Sequence, residues 1–253
     1  MAIAQLNPND RYALVGKTGS GKTQLAIVLA GTFARSLPYP WEVWWIDTKN
    51  VDEDIRTLRS WGFRNAASVE DQQTSRITTA KYFYVTAGDE RYDPETVEQV
   101  QAILKAAYNR QRVIVVVDEY TQAVPGQRNP GAALRDVFAR GRGRQVGIIG
   151  CTQEPVYVPR QLISQATHTV MLNVSYAYDI KYLKSVDPLY VPPVKHGDKY
   201  GFYWRWNDGG GDMDYFPNQK VWYDQLKIAM NRQEQERRQA AVQGASSDSA
   251  TGY

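Results

Sequence analysis

Hydrophobic positions in this chain fall into short β-branched and aromatic runs separated by stretches with helical spacing, the alternation expected of a parallel sheet covered on both faces. The first run is Tyr12-Ala13-Leu14-Val15; after a glycine-rich segment, Gln24-Leu25-Ala26-Ile27-Val28-Leu29-Ala30 reads as a helix. A second strand is expected at Trp41-Glu42-Val43-Trp44-Trp45-Ile46, closing on Asp47-Thr48-Lys49. Residues 51 to 61 read as helical and Lys81 to Val85 as a strand, and residues 94 to 109 place Val97, Val100, Ile103, Leu104 and Ala107 on one helical face. The most apolar segment, Val113-Ile114-Val115-Val116-Val117, has the composition of a strand buried on both sides and ends in Asp118-Glu119. A Pro/Gly-rich loop over 124–131 leads into a helix at about 132–141. Val146 to Cys151 forms another strand, capped by Thr152-Gln153, and His168 to Val174 a further one.

The C-terminal part changes character. Residues 198–216 predict a hairpin, two strands joined by the turn Asn207-Asp208-Gly209-Gly210-Gly211. From 219 to 240 the composition is helical and increasingly charged, and residues 245–252 are too small and polar to fold unaided. The expected organisation is one α/β domain over 1–225 with its core at about 10–175, then a charged helix and disordered tail over 226–253. A chain of 253 residues, 43% hydrophobic, is long enough to bury such a core.

Composition removes several function classes. Cys151 is the single cysteine, so no intramolecular disulfide is possible, and with only His168 and His196 beside it a zinc cluster is not expected. The chain has no apolar run of about eighteen residues and no basic-then-apolar N-terminus, which predicts a soluble, intracellular protein without direct membrane insertion. A net charge of +3 permits nucleic-acid binding without demanding it.

The glycine-rich segment supplies the first chemistry. Gly16-Lys17-Thr18-Gly19-Ser20-Gly21-Lys22-Thr23 satisfies GxxxxGK(S/T) between a strand and a helix. Its glycines let backbone N–H groups converge on nucleotide phosphates, Lys22 adds a point charge, and the Thr23 hydroxyl can ligate Mg²⁺. The positive end of the following helix faces the same anion.

In an open parallel sheet ligands lie outside the carboxyl ends of the strands, which would bring Asp118 and Glu119 beside this loop. Asp118 can support Mg²⁺, and Glu119 can orient and deprotonate an attacking water. Gln153, ending the next apolar strand, can hydrogen-bond the γ-phosphate or that water and report nucleotide state. Upstream of that strand Arg140, Arg142 and Arg144 alternate with glycines. Three readings stay open for this cluster: a finger reaching a neighbouring subunit's site, a DNA phosphate contact, or a solvated turn.

Taken in order, the phosphate loop, Ile46-Asp47-Thr48-Lys49, the strand ending Asp118-Glu119, and Gly143-Arg144-Gln145-Val146-Gly147-Ile148-Ile149-Gly150-Cys151-Thr152-Gln153-Glu154-Pro155 resemble the HerA/FtsK superfamily of DNA-pumping ATPases. Among these, the chain is most similar to viral genome-packaging ATPases. The resemblance implies a P-loop NTPase fold of RecA-like type, with an additional strand between the P-loop strand and the Asp-Glu strand. It implies ATP and Mg²⁺ as cofactors, and a homo-oligomeric ring, pentamer or hexamer, that threads double-stranded DNA. It also implies a portal or vertex protein as partner, and a location in host cytoplasm or at the packaging vertex of a virion. By position, Arg144 matches the trans-acting arginine best, with Arg140 and Arg142 as alternates. Glu154 departs from the pattern, since many relatives carry arginine there. Arg128, in the loop after Glu119, is a candidate DNA contact. A P-loop ATPase driving protein or virion assembly at a membrane and a conjugation-type DNA pump are the alternative functions.

Overall fold

In the computed structural model, which describes residues 6–37, 41–49, 51–66, 80–85, 92–207 and 213–225, the alternating runs build the elements they predict. In chain order these are β1 (Arg11–Val15), α1 (Lys22–Ser36), β2 (Glu42–Asp47), α2 (Asp52–Ser60), β3 (Arg64–Asn65), β4 (Ala80–Tyr84), α3 (Pro94–Arg110), β5 (Val113–Val117), α4 (Ala132–Arg140), β6 (Val146–Thr152), α5 (Gln161–Ser164), β7 (His168–Met171), α6 (Ala177–Val186), β8 (Phe202–Trp206) and β9 (Met213–Phe216). Residues 219–225 form a further helical segment. The glycine turn at 208–211 and the helix and tail expected over 226–253 lie outside the described residues.

Among the described residues the strands form one sheet in the order β3-β4-β2-β5-β6-β1-β7-β8-β9. β1 to β7 are mutually parallel, while β8 and β9 add on as an antiparallel hairpin beyond β7. β6 stands between β1 and β5, so the expected additional strand is present. Every residue of Val113–Val117 has zero exposure, as the β-branched run predicts for a central strand. Its alternate side chains enter opposite cores. Val113, Val115 and Val117 pack with Leu104, Leu134 and Leu183 from α3, α4 and α6; Ile114 and Val116 pack with Leu25 and Leu29 of α1. Each such fully buried side chain is worth about 1.5–3 kcal/mol relative to its exposed state.

Three elements carry no clear signal in the sequence. β3 is two exposed residues at the sheet edge, α5 is a single turn, and α6 has exposed Tyr178 beside buried Leu183, which blurs its apolar stripe. β7 stops at Met171 rather than Val174, because the backbone and side chain of Asn173 are diverted to other partners described below.

Charged groups in the sheet are satisfied locally. Glu42, at the buried start of β2, accepts from Arg110 Nε and Nη2 at 2.9 and 2.7 Å and from Trp44 Nε1 at 2.7 Å. At the N-terminal end of β7, Trp204 Nε1 donates to His168 Nδ1 (3.1 Å), which leaves His168 Nε2–H to donate to Asp10 (3.1 Å). Tyr12 stacks on the same imidazole at 4.6 Å. His168 is therefore a core residue held by three neighbours.

The chain before β1 runs under the start of β6, where Ile148 N–H donates to Asp10 O. A Cβ on Gly147 would stand 2.1 Å from the Pro8 carbonyl oxygen, a backbone atom that cannot swing aside. Gly147→Ala is therefore expected to cost roughly 2–4 kcal/mol and lower the thermal midpoint. An unchanged midpoint in a melt followed by circular dichroism would contradict this packing.

Candidate active site

β1 delivers the phosphate loop to the carboxyl edge of the sheet, and its neighbours clamp it there. Gly16 N–H donates to Thr152 O of β6 (3.1 Å), and Lys17 N–H donates to Asn173 O beyond β7 (2.7 Å). Lys17, Thr18 and Gly19 form the exposed crest, whereas Ser20 and Lys22 are buried. Gly21 enters α1 with φ 92°, ψ 8°, a left-handed conformation that costs a side-chain-bearing residue free energy. Among the described residues the buried Ser20 Oγ has no hydrogen-bond partner, an orphan of the kind a bound oxyanion satisfies.

Beside the loop, the end of β5 supplies Asp118 and Glu119, both buried. Thr23 Oγ1 donates to Asp118 Oδ1 at 3.0 Å, which brings together the two residues expected to hold Mg²⁺. Their hydroxyl and carboxylate oxygens are hard donors, the chemistry that magnesium prefers, and they lie at the first turn of α1 where nucleotide phosphates would complete the shell. The residues present fit the ion.

Lys49, after β2, is a site residue that the sequence pattern does not single out. Its Nζ lies 2.8 Å from Asp118 Oδ2. Burial pulls the Lys49 ammonium pKa down, but the adjacent Asp118 carboxylate more than offsets this and leaves it raised. The lysine thus neutralises a carboxylate that would otherwise be buried unpaired. On the flank of α1, Gln24 Nε2 donates to Asp54 Oδ1 (3.1 Å). Burial, then the charge of Asp118, holds the Asp54 carboxyl above its ordinary range. Cys151, in β6, is buried and its thiol is pushed up, first by desolvation and then by Asp118, so it is no nucleophile.

Gln153 joins the loop to the carboxylates. The Thr18 hydroxyl donates to Gln153 Oε1, and Gln153 Nε2 donates to Glu119 Oε2 at 3.0 Å. Thr121 Oγ1 holds the other carboxylate oxygen at 2.9 Å. One neutral amide therefore spans the crest of the phosphate loop and the candidate base.

The arginines are elsewhere. Arg140 ends α4, and Arg142 and Arg144 occupy a 3₁₀ turn at 142–144 that precedes β6, all three exposed. Because β6 runs seven residues from this turn to Thr152, the turn and the phosphate loop stand at opposite ends of the strand, roughly 20 Å apart. None can reach the site of its own subunit. Arg142 Nη2 lies 3.7 Å from Asp10 Oδ1, and the Arg144 guanidinium sits 5.2 Å from the Tyr108 ring centre. Arg128 is exposed in the loop after β5, which Gln101 fastens by donating to Ala123 O and Pro130 O at 2.7 and 3.0 Å. It lines a groove of about 640 Å³ with Gln127, Arg160 and Tyr182. Among the described residues no group of three or more His, Cys, Asp or Glu side chains is placed to hold a metal, and no helix is long and apolar enough to cross a membrane.

Removing the lysine tests the charge balance. Lys49→Ala leaves Asp118 without its cation and is expected to cost about 2 kcal/mol of stability, since an unpaired buried charge is strongly destabilising. Saturating Mg²⁺ and ATP should restore most of that loss. A melt of Lys49→Ala that matches the unmodified protein without ligands would contradict the pairing.

No protein-family model and no curated protein matches the chain. Solved structures do. The genome packaging NTPase B204 of Sulfolobus turreted icosahedral virus 2, in complex with ATP-gammaS, aligns over 83% of this chain and 98% of its own at 15% identity with a TM-score of 0.60. Its complex with AMPPCP gives the same values. The DNA-packaging ATPase B204 from Sulfolobus turreted icosahedral virus aligns over the same shares at 15% identity and a TM-score of 0.59. At this identity the likeness is one of fold: the chain has the P-loop NTPase fold of these viral packaging enzymes, matched over nearly their whole length.

Proposed function

We propose that this chain is an ATPase subunit of a ring that moves double-stranded DNA into a viral capsid. The observation that carries the reading is the hydrogen-bonded bridge from Thr18 through Gln153 to Glu119, which would couple the candidate base to what the phosphate loop holds. The fold shared with viral packaging NTPases supports the packaging assignment.

The proposed chemistry uses the chain's own groups at every step. Loop N–H groups and Lys22 bind the triphosphate, which displaces Thr18 from Gln153 and frees the amide to turn toward the γ-phosphate. Mg²⁺, held between Thr23 and Asp118, would neutralise phosphate charge. Glu119 keeps lone pairs beyond those used by Gln153 and Thr121 and accepts the proton of a water whose oxygen attacks the γ-phosphorus. The bond to the β–γ bridging oxygen breaks, ADP leaves with that electron pair, and the proton passes from Glu119 to phosphate or solvent.

Beyond Lys22 and the metal, further positive charge against the equatorial γ-phosphate oxygens would come from a neighbouring subunit. The arginines at the opposite edge of the sheet suit a neighbour's site in a closed ring, in which each subunit presents its arginine edge to the next subunit's carboxyl edge. Arg144 takes that role in our reading, with Arg142 held back by Asp10. The ring, the DNA, a portal or vertex partner, and a place at the packaging vertex belong to the same proposal.

Hydrolysis measured with and without long double-stranded DNA tests it. The unmodified protein is expected to turn over faster with DNA, Glu119→Gln to fall at least about 10²-fold, and Arg144→Ala about 10³-fold. An equal mixture of the two variants should regain part of the rate, because some interfaces then pair an intact Glu119 with an intact Arg144. Turnover indifferent to DNA would remove the translocase reading, and a mixture no faster than its components would remove the shared site.

A further inference from the structure

The C-terminal segment returns to the phosphate loop across nearly the whole chain, and that return builds a surface the hydrolytic chemistry does not use. Gln219 Nε2 donates to Gly21 O at 2.6 Å. A Cβ on Gly21 would stand 2.5 Å from that nitrogen and 3.5 Å from Tyr200 Cδ1, so glycine is needed there for the approach as well as for its φ. Tyr200 lies beside the loop with about half its surface exposed (47%).

The turn that carries Tyr200 is tied to the same loop. Asn173, itself 2% exposed, accepts Lys17 N–H through its backbone oxygen. Its side chain donates to Asp198 O and Lys199 O (3.3 and 2.8 Å) and accepts Val194 N–H (2.6 Å). Asp198 also accepts the Tyr215 hydroxyl of β9. One buried amide thus fixes the position of Tyr200 relative to the phosphate site. An exposed aromatic held this way is a platform; in a loose loop it would be only a surface residue.

The direction of a bound nucleotide follows from the other contacts. Thr18, Gln153 and Glu119 mark the hydrolytic flank, toward β6 and β5. A triphosphate with its γ end there extends its ribose and base to the opposite flank, where β7 leads to β8 and the Lys199-Tyr200 turn. Lys199 Nζ lies 5.0 Å from the Tyr200 ring centre, and the exposure of this residue gives a second π system access to it.

We infer that Tyr200 forms the base subsite of the nucleotide pocket, stacking on a purine, with Gln219 and Asn173 as positioning residues. The inference rests on reading Gly16 to Thr23 as a nucleotide site. Stacking on an aromatic side chain holds any base but favours the larger purine face, so ATP and GTP should bind alike and more tightly than CTP.

Calorimetric titration of the full chain with Mg²⁺ complexes of ATP, CTP and inorganic tripolyphosphate tests this. Tyr200→Ala is expected to weaken ATP about tenfold and to leave tripolyphosphate unchanged, while Tyr200→Phe, which keeps the ring, stays within about twofold of the unmodified protein. ATP affinity untouched by Tyr200→Ala overturns the subsite, and so does an equal loss of ATP and tripolyphosphate, which would mean that the residue only shapes the loop. ATP binding that depends on Tyr200 in a protein whose turnover ignores DNA keeps the subsite and removes the translocase. DNA-stimulated turnover with Tyr200-independent binding does the reverse.

Discussion

The common direction of the parallel strands is the constraint on which this protein's chemistry rests. Because β1, β5 and β6 run the same way, the residues at their carboxyl ends meet at one edge: the phosphate loop, Asp118-Glu119 and Gln153. The same polarity puts whatever precedes β6 at the far edge. Arg140, Arg142 and Arg144 are separated from the phosphates for the same reason that Gln153 is beside them. The separation of the arginine turn from the phosphate loop is therefore a property of the sheet.

At the carboxyl edge of the sheet each acidic side chain is held by its neighbours. Asp118 is buried between a hydroxyl and an ammonium, Thr23 at 3.0 Å and Lys49 at 2.8 Å. Glu119 is held at both oxygens by Thr121 and Gln153. In the proposed reaction, a triphosphate with its metal would disturb both sets of contacts. Because Asp118 and Glu119 are buried, electrostatic interactions among these groups are stronger than at the surface.

Much of this was legible in the sequence. The β1 run with its glycine-rich segment, the uninterrupted valine and isoleucine strand of β5, and the terminal pairs Asp118-Glu119 and Thr152-Gln153 announce themselves through local pattern, and the sheet places them together. The contacts that escaped were those between segments with no shared pattern. Lys49 reads as the end of a strand until β2 is seen beside β5. Asn173 reads as one more strand residue, although its polar side chain is what ends β7. Gln219 meets Gly21 over a separation of 198 residues, and no periodicity carries such information. The two-residue β3 and the single-turn α5 were hidden for a different reason, since segments so short bury too little to leave a pattern.

The proposed active site, half of it at the phosphate loop and half from a neighbouring subunit, makes turnover depend on assembly. Its most direct test is the turnover of ATP per subunit across a dilution series, read beside the assembly state by light scattering. A shared site gives a rate per subunit that rises with concentration and reaches a plateau as the ring assembles. A rate per subunit that stays constant down to concentrations at which the protein is monomeric would contradict it.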